Sequence, residues 1–279
     1  YLLIQHPQIF LPAIKETRFF TQDFEKGLPW YEQKHYANVK DEIAIGDISP
    51  VYLVDDRCPK RIHDALGTDI KLIFMLRNPV ERAYSHFCML QSHNFEELPF
   101  EEAIAIDEDD RIEKSLKHYH HKYGFQYLKE SSYSHWIQSY LEHFKKEQMK
   151  FVIFEEFTTD TKPHLSEILE FLEINGNHVF EYDVYKNPKT VSGSSKINQV
   201  FYGNALLKKT RDFIQSKTSW KTQSLLKKLK NKFLSDRNSK NESMNEATRD
   251  QLYNYFEDEI RRLEPLIGKD LSLWKRPEA

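Results

Sequence analysis

Lys71-Leu72-Ile73-Phe74-Met75-Leu76 runs directly into Arg77-Asn78-Pro79-Val80-Glu81-Arg82-Ala83-Tyr84-Ser85-His86-Phe87, and the joint between these two stretches decides the fold. The first has the length and unbroken hydrophobicity of a strand buried on both faces. The second predicts a helix from Pro79 to near Leu90. Pro79 takes the first helical position, Asn78 can cap it, and Glu81 sits where a capping-box carboxylate belongs. Arg77 therefore projects from the C-terminal edge of a sheet, where open α/β folds bind ligands. Ser85 shares a helix face with Asn78 and Glu81/Arg82, and a guanidinium and a hydroxyl so placed can grip a phosphate. On spacing alone, an arginine at such a joint can equally be structural.

The same unit recurs downstream. Phe151-Val152-Ile153-Phe154 reads as a second buried strand, and Pro163 to Leu172 places Leu165, Ile168, Leu169 and Leu172 on one helical face. Tyr133 to Phe144 and Glu246 to Leu266 read as further amphipathic helices. Strands alternating with helices predict one α/β domain over residues 1–279. Its mostly parallel central sheet, of about four or five strands, is flanked by helices. No internal period is found, and eight glycines in 279 residues argue against a flexible linker. Tyr1-Leu2-Leu3-Ile4-Gln5-His6-Pro7 reads as the end of a helix closed by Pro7 and lacks signal-peptide features. No apolar run reaches the roughly 20 residues that span a bilayer.

Composition narrows the classes. Hydrophobic residues make up 39%, enough for a substantial core, and 19 Phe with 15 Tyr predict pockets walled by flat rings. A formal charge of −3 excludes whole-chain attraction to nucleic acid. Two cysteines, Cys58 and Cys88, exclude a disulfide framework or a multi-cysteine metal site. His118, His120 and His121 form either a zinc-binding group or a solvated helix end. Residues 204–240 carry eleven Lys/Arg against two Asp, with leucines spaced for a helix or two. This basic helical segment is either a solvated face or a contact for an anionic substrate or membrane.

The Arg77 to Phe87 stretch resembles the 3′-phosphate-binding motif of the sulfotransferases that use 3′-phosphoadenosine 5′-phosphosulfate (PAPS), in the branch holding the heparan sulfate enzymes and many bacterial relatives. His6-Pro7-Gln8-Ile9 and Lys15-Glu16-Thr17-Arg18-Phe19-Phe20 resemble the segment after that family's phosphosulfate loop. Gly46-Asp47-Ile48-Ser49-Pro50-Val51-Tyr52 resembles its substrate-side strand and turn. Arg262-Leu263-Glu264, Gly268 and Asp270-Leu271-Ser272-Leu273-Trp274 resemble its closing helix and tail. The resemblance implies a P-loop-NTPase-like sulfotransferase fold in which Arg77 and Ser85 hold the donor's 3′-phosphate. It implies Glu16 as the general base that takes the acceptor's proton, with Phe19 and Phe20 partly desolvating it. Without it, Glu16 reads as a solvated loop carboxylate.

Asp47 is a second acidic candidate, or a turn residue capping Ser49-Pro50. Ile48 stands where heparan-modifying members carry Lys, which argues against a heparan-type substrate. His135, beside Tyr133 and Trp136, is a third catalytic candidate or simply a helix residue. Ser194, Ser195 and Lys196 match a family loop that closes over the nucleotide, and also fit an ordinary Ser-rich connection. The family's N-terminal strand and its Lys-Gly-Thr-Thr-like loop, which cradles the 5′-phosphosulfate, have no counterpart in this sequence, so the polypeptide as it stands is expected to be a poor catalyst.

The implied reaction moves a sulfuryl group from PAPS to a hydroxyl, or second to an amine, of a carbohydrate, lipid or small molecule. It leaves 3′-phosphoadenosine 5′-phosphate (PAP) and requires no metal. A phosphate-handling kinase would explain Arg77 but needs a complete P-loop and magnesium ligands. A non-catalytic module recruiting a polyanion or membrane through 204–240 is the other rival. The expected compartment is the bacterial cytoplasm, or the Golgi lumen if an anchor precedes the sequence.

Overall fold

The structure is a computed structural model and describes residues 2–93, 95–106, 108–119, 124–182 and 244–276. Ser194, Ser195, Lys196, the 204–240 segment and the side chains of His118, His120 and His121 lie outside the described residues. The strands are β1 (Ile9–Phe10), β2 (Ala44–Ile45), β3 (Leu72–Leu76) and β4 (Met149–Ile153). The helices in chain order are α1 (Leu28–His35), α2 (Cys58–Leu66), α3 (Pro79–Ser92), α4 (Phe100–Ala105), α5 (Glu108–Tyr119), α6 (Tyr127–Glu130), α7 (Tyr133–Leu141), α8 (Phe154–Thr159), α9 (Thr161–Phe171) and α10 (Glu246–Ile267). The expected helix end at the N-terminus is a single 3₁₀ turn, Leu3–Gln5, closed at His6.

Among the described residues all strand pairing is parallel, as buried runs followed by helices require. β3 and β4 pair from Leu72↔Met149 to Leu76↔Ile153. Instead of one continuous sheet, the four strands among the described residues form two pairs, β1–β2 and β3–β4. Burial follows from that division. Phe74 and Leu76 enter the core, where the Phe74 ring lies 5.1 Å from Tyr140 and 5.4 Å from Phe151. Ile73 and Met75, on the opposite face, stay 36% and 47% exposed. β3 is therefore buried on one face, not on two.

The helices around β3 are fixed by specific caps. Asn78 accepts from the N–H of Val80 at 3.0 Å and of Glu81 at 3.4 Å, and Val80, Ala83, Phe87 and Leu90 turn α3 toward the core. Glu259 of α10 caps α7 from outside, accepting from Ser134 N–H and Oγ–H at 2.6 Å each. α10 lays Leu252, Phe256, Ile260, Leu263 and Ile267 onto the same core. It ends at Gly268, whose φ of 67° is the left-handed cap conformation that glycine adopts without penalty. No helix among the described residues is long and apolar enough to cross a membrane.

Candidate active site

The joint read from the sequence is present. β3 ends at Leu76, Arg77 follows, and α3 starts at Pro79. Tyr133 of α7 braces the joint: its phenol donates to the Arg77 carbonyl at 3.0 Å and lies 3.4 Å from the Arg77 N–H. Burial pushes that phenol's pKa up to about 12, so it stays a protonated donor. Glu155, the second residue of α8, accepts from the Asn78 N–H at 2.9 Å and from the Trp274 indole N–H at 3.0 Å. The Asn78 amide in turn donates to the Trp274 carbonyl at 3.4 Å. Two strand ends, the helix cap and the C-terminal tail thus meet around Arg77.

The Arg77 side chain itself is left open. It is 34% exposed, stands over the Phe154 ring at 5.4 Å, and reaches Glu81 only at 4.0 Å. Among the described residues its guanidinium donates no hydrogen bond. Ser85 is exposed one helical turn beyond Glu81, about 6 Å along the axis, on the same stripe. Glu81 does not close a capping box. Its carboxylate pairs with Arg249 of α10 instead, with its second oxygen 4.0 Å from Arg77.

The segments carrying Glu16 and Asp47 run alongside each other. The Glu16 N–H donates to the Ile48 carbonyl at 3.1 Å, and the Arg18 N–H points to Ser49 Oγ at 3.4 Å. Glu16 and Arg18 both hold positive φ, 61° and 56°, a conformation that costs a side-chain-bearing residue about 1–2 kcal/mol. The Glu16 carboxylate faces two cations, Arg18 Nη2 at 3.2 Å and Lys15 Nζ at 3.6 Å. The aromatic pair expected to desolvate it packs elsewhere. Phe19 stacks on Tyr31 with centroids 4.1 Å apart, and Phe20 meets Tyr52 edge-on.

Asp47 is enclosed by hydroxyls. Its Oδ2 accepts from Thr17, from Tyr31 at 2.7 Å and from Tyr52 at 2.8 Å, and its Oδ1 accepts from Ser49 at 3.1 Å. Burial, and next the Asp47 charge, push the Tyr31 and Tyr52 phenols far above their usual range, so both remain donors. A carboxylate holding four hydroxyls is a buttress under Thr17, the residue between Glu16 and Arg18. Asp47→Ala orphans these donors and is expected to cost about 2–3 kcal/mol, read as a lowered urea midpoint with unchanged slope. An unchanged midpoint would refute the buttress.

His135 stands apart. It is exposed, with Nε2 3.4 Å from Asp56 and its ring on Trp136, and no described contact joins it to Glu16 or Asp47. Among the described residues, no group of three His, Cys, Asp or Glu is arranged to hold a metal ion. Sequence reasoning passed over Glu155, whose place directly after a buried strand at the sheet's C-terminal edge was the available signal. Arg249 carries no local signal.

Comparison with known proteins settles the family. The sulfotransferase-domain profile matches residues 3–264. The chain belongs to the sulfotransferase family. This sulfotransferase domain is 27% identical over 192 residues to mouse heparan sulfate glucosamine 3-O-sulfotransferase 5, covering 67% of the chain and 52% of the relative. It is 31% identical over 138 residues to the membrane-associated sulfotransferase kil1 of Dictyostelium discoideum, covering 47% and 29%. The chain therefore spans about half, or less, of the length of these curated relatives. A sulfotransferase crystal structure from Alicyclobacillus acidocaldarius superposes over 99% of the chain and 92% of its own, with TM-score 0.67 and 25% identity. The α/β fold with parallel sheets flanked by helices is thus that of sulfotransferases, a family that generally uses PAPS as donor.

Proposed function

We propose that this protein transfers a sulfuryl group from PAPS to a hydroxyl, and second to an amine, of a carbohydrate, lipid or small-molecule acceptor. The observation that carries the reading is Arg77: a guanidinium with uncommitted donors, at the C-terminal end of half-buried β3, followed on α3 by an exposed serine. These groups fit a dianionic 3′-phosphate, which wants several charge-assisted donors at a sheet edge. When bound, PAPS supplies the activated sulfuryl group and a phosphoadenosine leaving group.

The chain's own residues divide the remaining work. Arg77 and Ser85 hold the nucleotide by its 3′-phosphate. Glu16 Oε receives the acceptor's proton, and Lys15 and Arg18 fix the place of that carboxylate. Asp47 fixes Thr17 and with it the backbone on either side. Ile48, exposed beside Asp47, offers an acceptor an apolar contact where heparan-modifying relatives have a cation, which favours an acceptor less anionic than heparan.

PAP binding to the full-length protein tests the reading. Arg77→Ala is expected to weaken it roughly 10- to 100-fold, the worth of hydrogen bonds to a charged group. Arg77→Lys is expected to recover only part, because an ammonium lacks the planar fork. Equal PAP affinity in wild type and Arg77→Ala, by calorimetry, would exclude the assignment.

A further inference from the structure

The ion pair between Arg249 and Glu81 is used by neither the core nor the chemistry described above. Glu81 splits its carboxylate between two arginines. Oε1 pairs closely with Arg249 of α10, while Oε2 stays 4.0 Å from Arg77, beyond hydrogen-bond range. All three side chains are partly open to solvent. The elements holding them are fixed independently: α3 by its Asn78 cap, and α10 by the Asn245 cap and by Thr248, whose hydroxyl donates to Glu101 at 3.1 Å.

Glu81, in the first turn of α3 and 4.0 Å from the guanidinium that precedes the helix, is the nearest carboxylate able to close on Arg77 if it loses its other partner. It would compete with any phosphate offered to the same guanidinium. The geometry points to Arg249 as a positioning residue of the nucleotide site: by engaging Glu81 it keeps the carboxylate off Arg77 and leaves that guanidinium free for the 3′-phosphate. This inference rests on the assignment of Arg77 to the donor nucleotide. Arg249 acts through Glu81 and does not itself touch the ligand.

A mutant cycle read as PAP affinity, by calorimetry on the full-length protein, separates the possibilities. Arg249→Gln is expected to weaken PAP about tenfold, because Glu81 then closes on Arg77. Arg249→Lys keeps a cation on Glu81 and is expected to stay within about threefold of wild type. The deciding variant is Glu81→Gln/Arg249→Gln. With the competing carboxylate gone, its affinity is expected to return to within about twofold of wild type. A double variant as weak as Arg249→Gln alone would mean that Arg249 contacts the phosphate directly, and overturns the proposal. Arg249→Gln binding PAP like wild type overturns it too. Should Arg249→Gln fail to fold, as read by its thermal transition, Arg249→Met takes its place as the variant without a cation, and no gain in PAP affinity from Arg249→Met to Glu81→Gln/Arg249→Met overturns the proposal. Arg77→Ala, run alongside, separates the two levels: if it binds PAP normally, the nucleotide assignment fails, whereas a loss there with no effect at Arg249 removes only this inference.

Discussion

Glu16→Gln lowers turnover by about 10²–10⁴, the usual contribution of a positioned general base, while PAP affinity stays near wild type. The amide keeps the size of the carboxylate and can still accept from Arg18, which lies 3.2 Å away, so the left-handed segment around it is preserved. What disappears is the capacity to receive the acceptor's proton. The split matters. A residue that merely shaped the segment would change stability and both affinities together, whereas a base changes kcat with little effect on nucleotide binding. The measurement is transfer of labelled sulfuryl from PAPS across an acceptor panel, with the full-length protein. Turnover within threefold of wild type would remove Glu16 from the reaction and turn attention to Asp47, despite its enclosing hydroxyls, or to His135.

The second large effect lies in the tail. Trp274 is fully buried, its indole N–H donates to Glu155, and its carbonyl accepts from Asn78. Trp274→Ala is expected to cost about 3–5 kcal/mol, the range for emptying a large aromatic from a core. At roughly 2–4 °C per kcal/mol for a chain of this size, the thermal midpoint falls by about 10 °C. Trp274→Phe separates packing from hydrogen bonding. It keeps most of the ring volume, loses the one indole donor to Glu155, and is expected to cost only about 1–2 kcal/mol. Because the other Glu155 oxygen holds the Asn78 N–H, PAP affinity is expected to fall in both variants. A midpoint shift under 3 °C in Trp274→Ala would show that the tail is not docked as described.

The parts of this molecule that could be read from the sequence are those in which neighbours along the chain make the structure. Leu72–Leu76, Asn78, Pro79 and the apolar stripe of α3 form one local unit; the strand, the cap and the helix stand where their residue types put them, though the strand is covered on one face where its unbroken hydrophobicity implied two. α10 has the same legibility, since a stripe from Leu252 to Ile267 closed by Gly268 needs no distant partner to be recognised. β1 and β2 are different. At two residues each, they carry no periodicity, and their pairing of Ile9 with Ala44 bridges an intervening π-turn, a helix and a long loop.

The site divides along the same line. Arg77 and Ser85 sit in a long motif, and the roles proposed for them rest on it. Glu155 meets Asn78 across 77 positions and is marked locally only by its place after a buried strand, while Arg249 meets Glu81 across 168 and no local pattern marks it. Asp47 illustrates the middle case. Its turn position beside Ser49 was visible, but the phenols of Tyr31 and Tyr52 that surround it arrive from a helix and a 3₁₀ turn, and only the fold brings them together. The aromatic pair at Phe19 and Phe20 misled for a related reason. Sequence adjacency to Glu16 suggested a desolvating lid, yet the left-handed backbone at Arg18 turns both rings inward.

The half-covered strand β3 has a consequence for handling the protein. Ile73 and Met75 alternate with the core residues of the five-residue strand whose end carries Arg77, and its edge away from β4 is unpaired among the described residues. Wet aliphatic side chains beside an open strand edge are adhesive, and they invite self-association as concentration rises. The strand whose exposed face governs this colloidal behaviour is the one that carries the proposed nucleotide-binding arginine at its end. Dilute handling and a monodispersity check by light scattering are therefore expected to matter for this domain before any binding is measured.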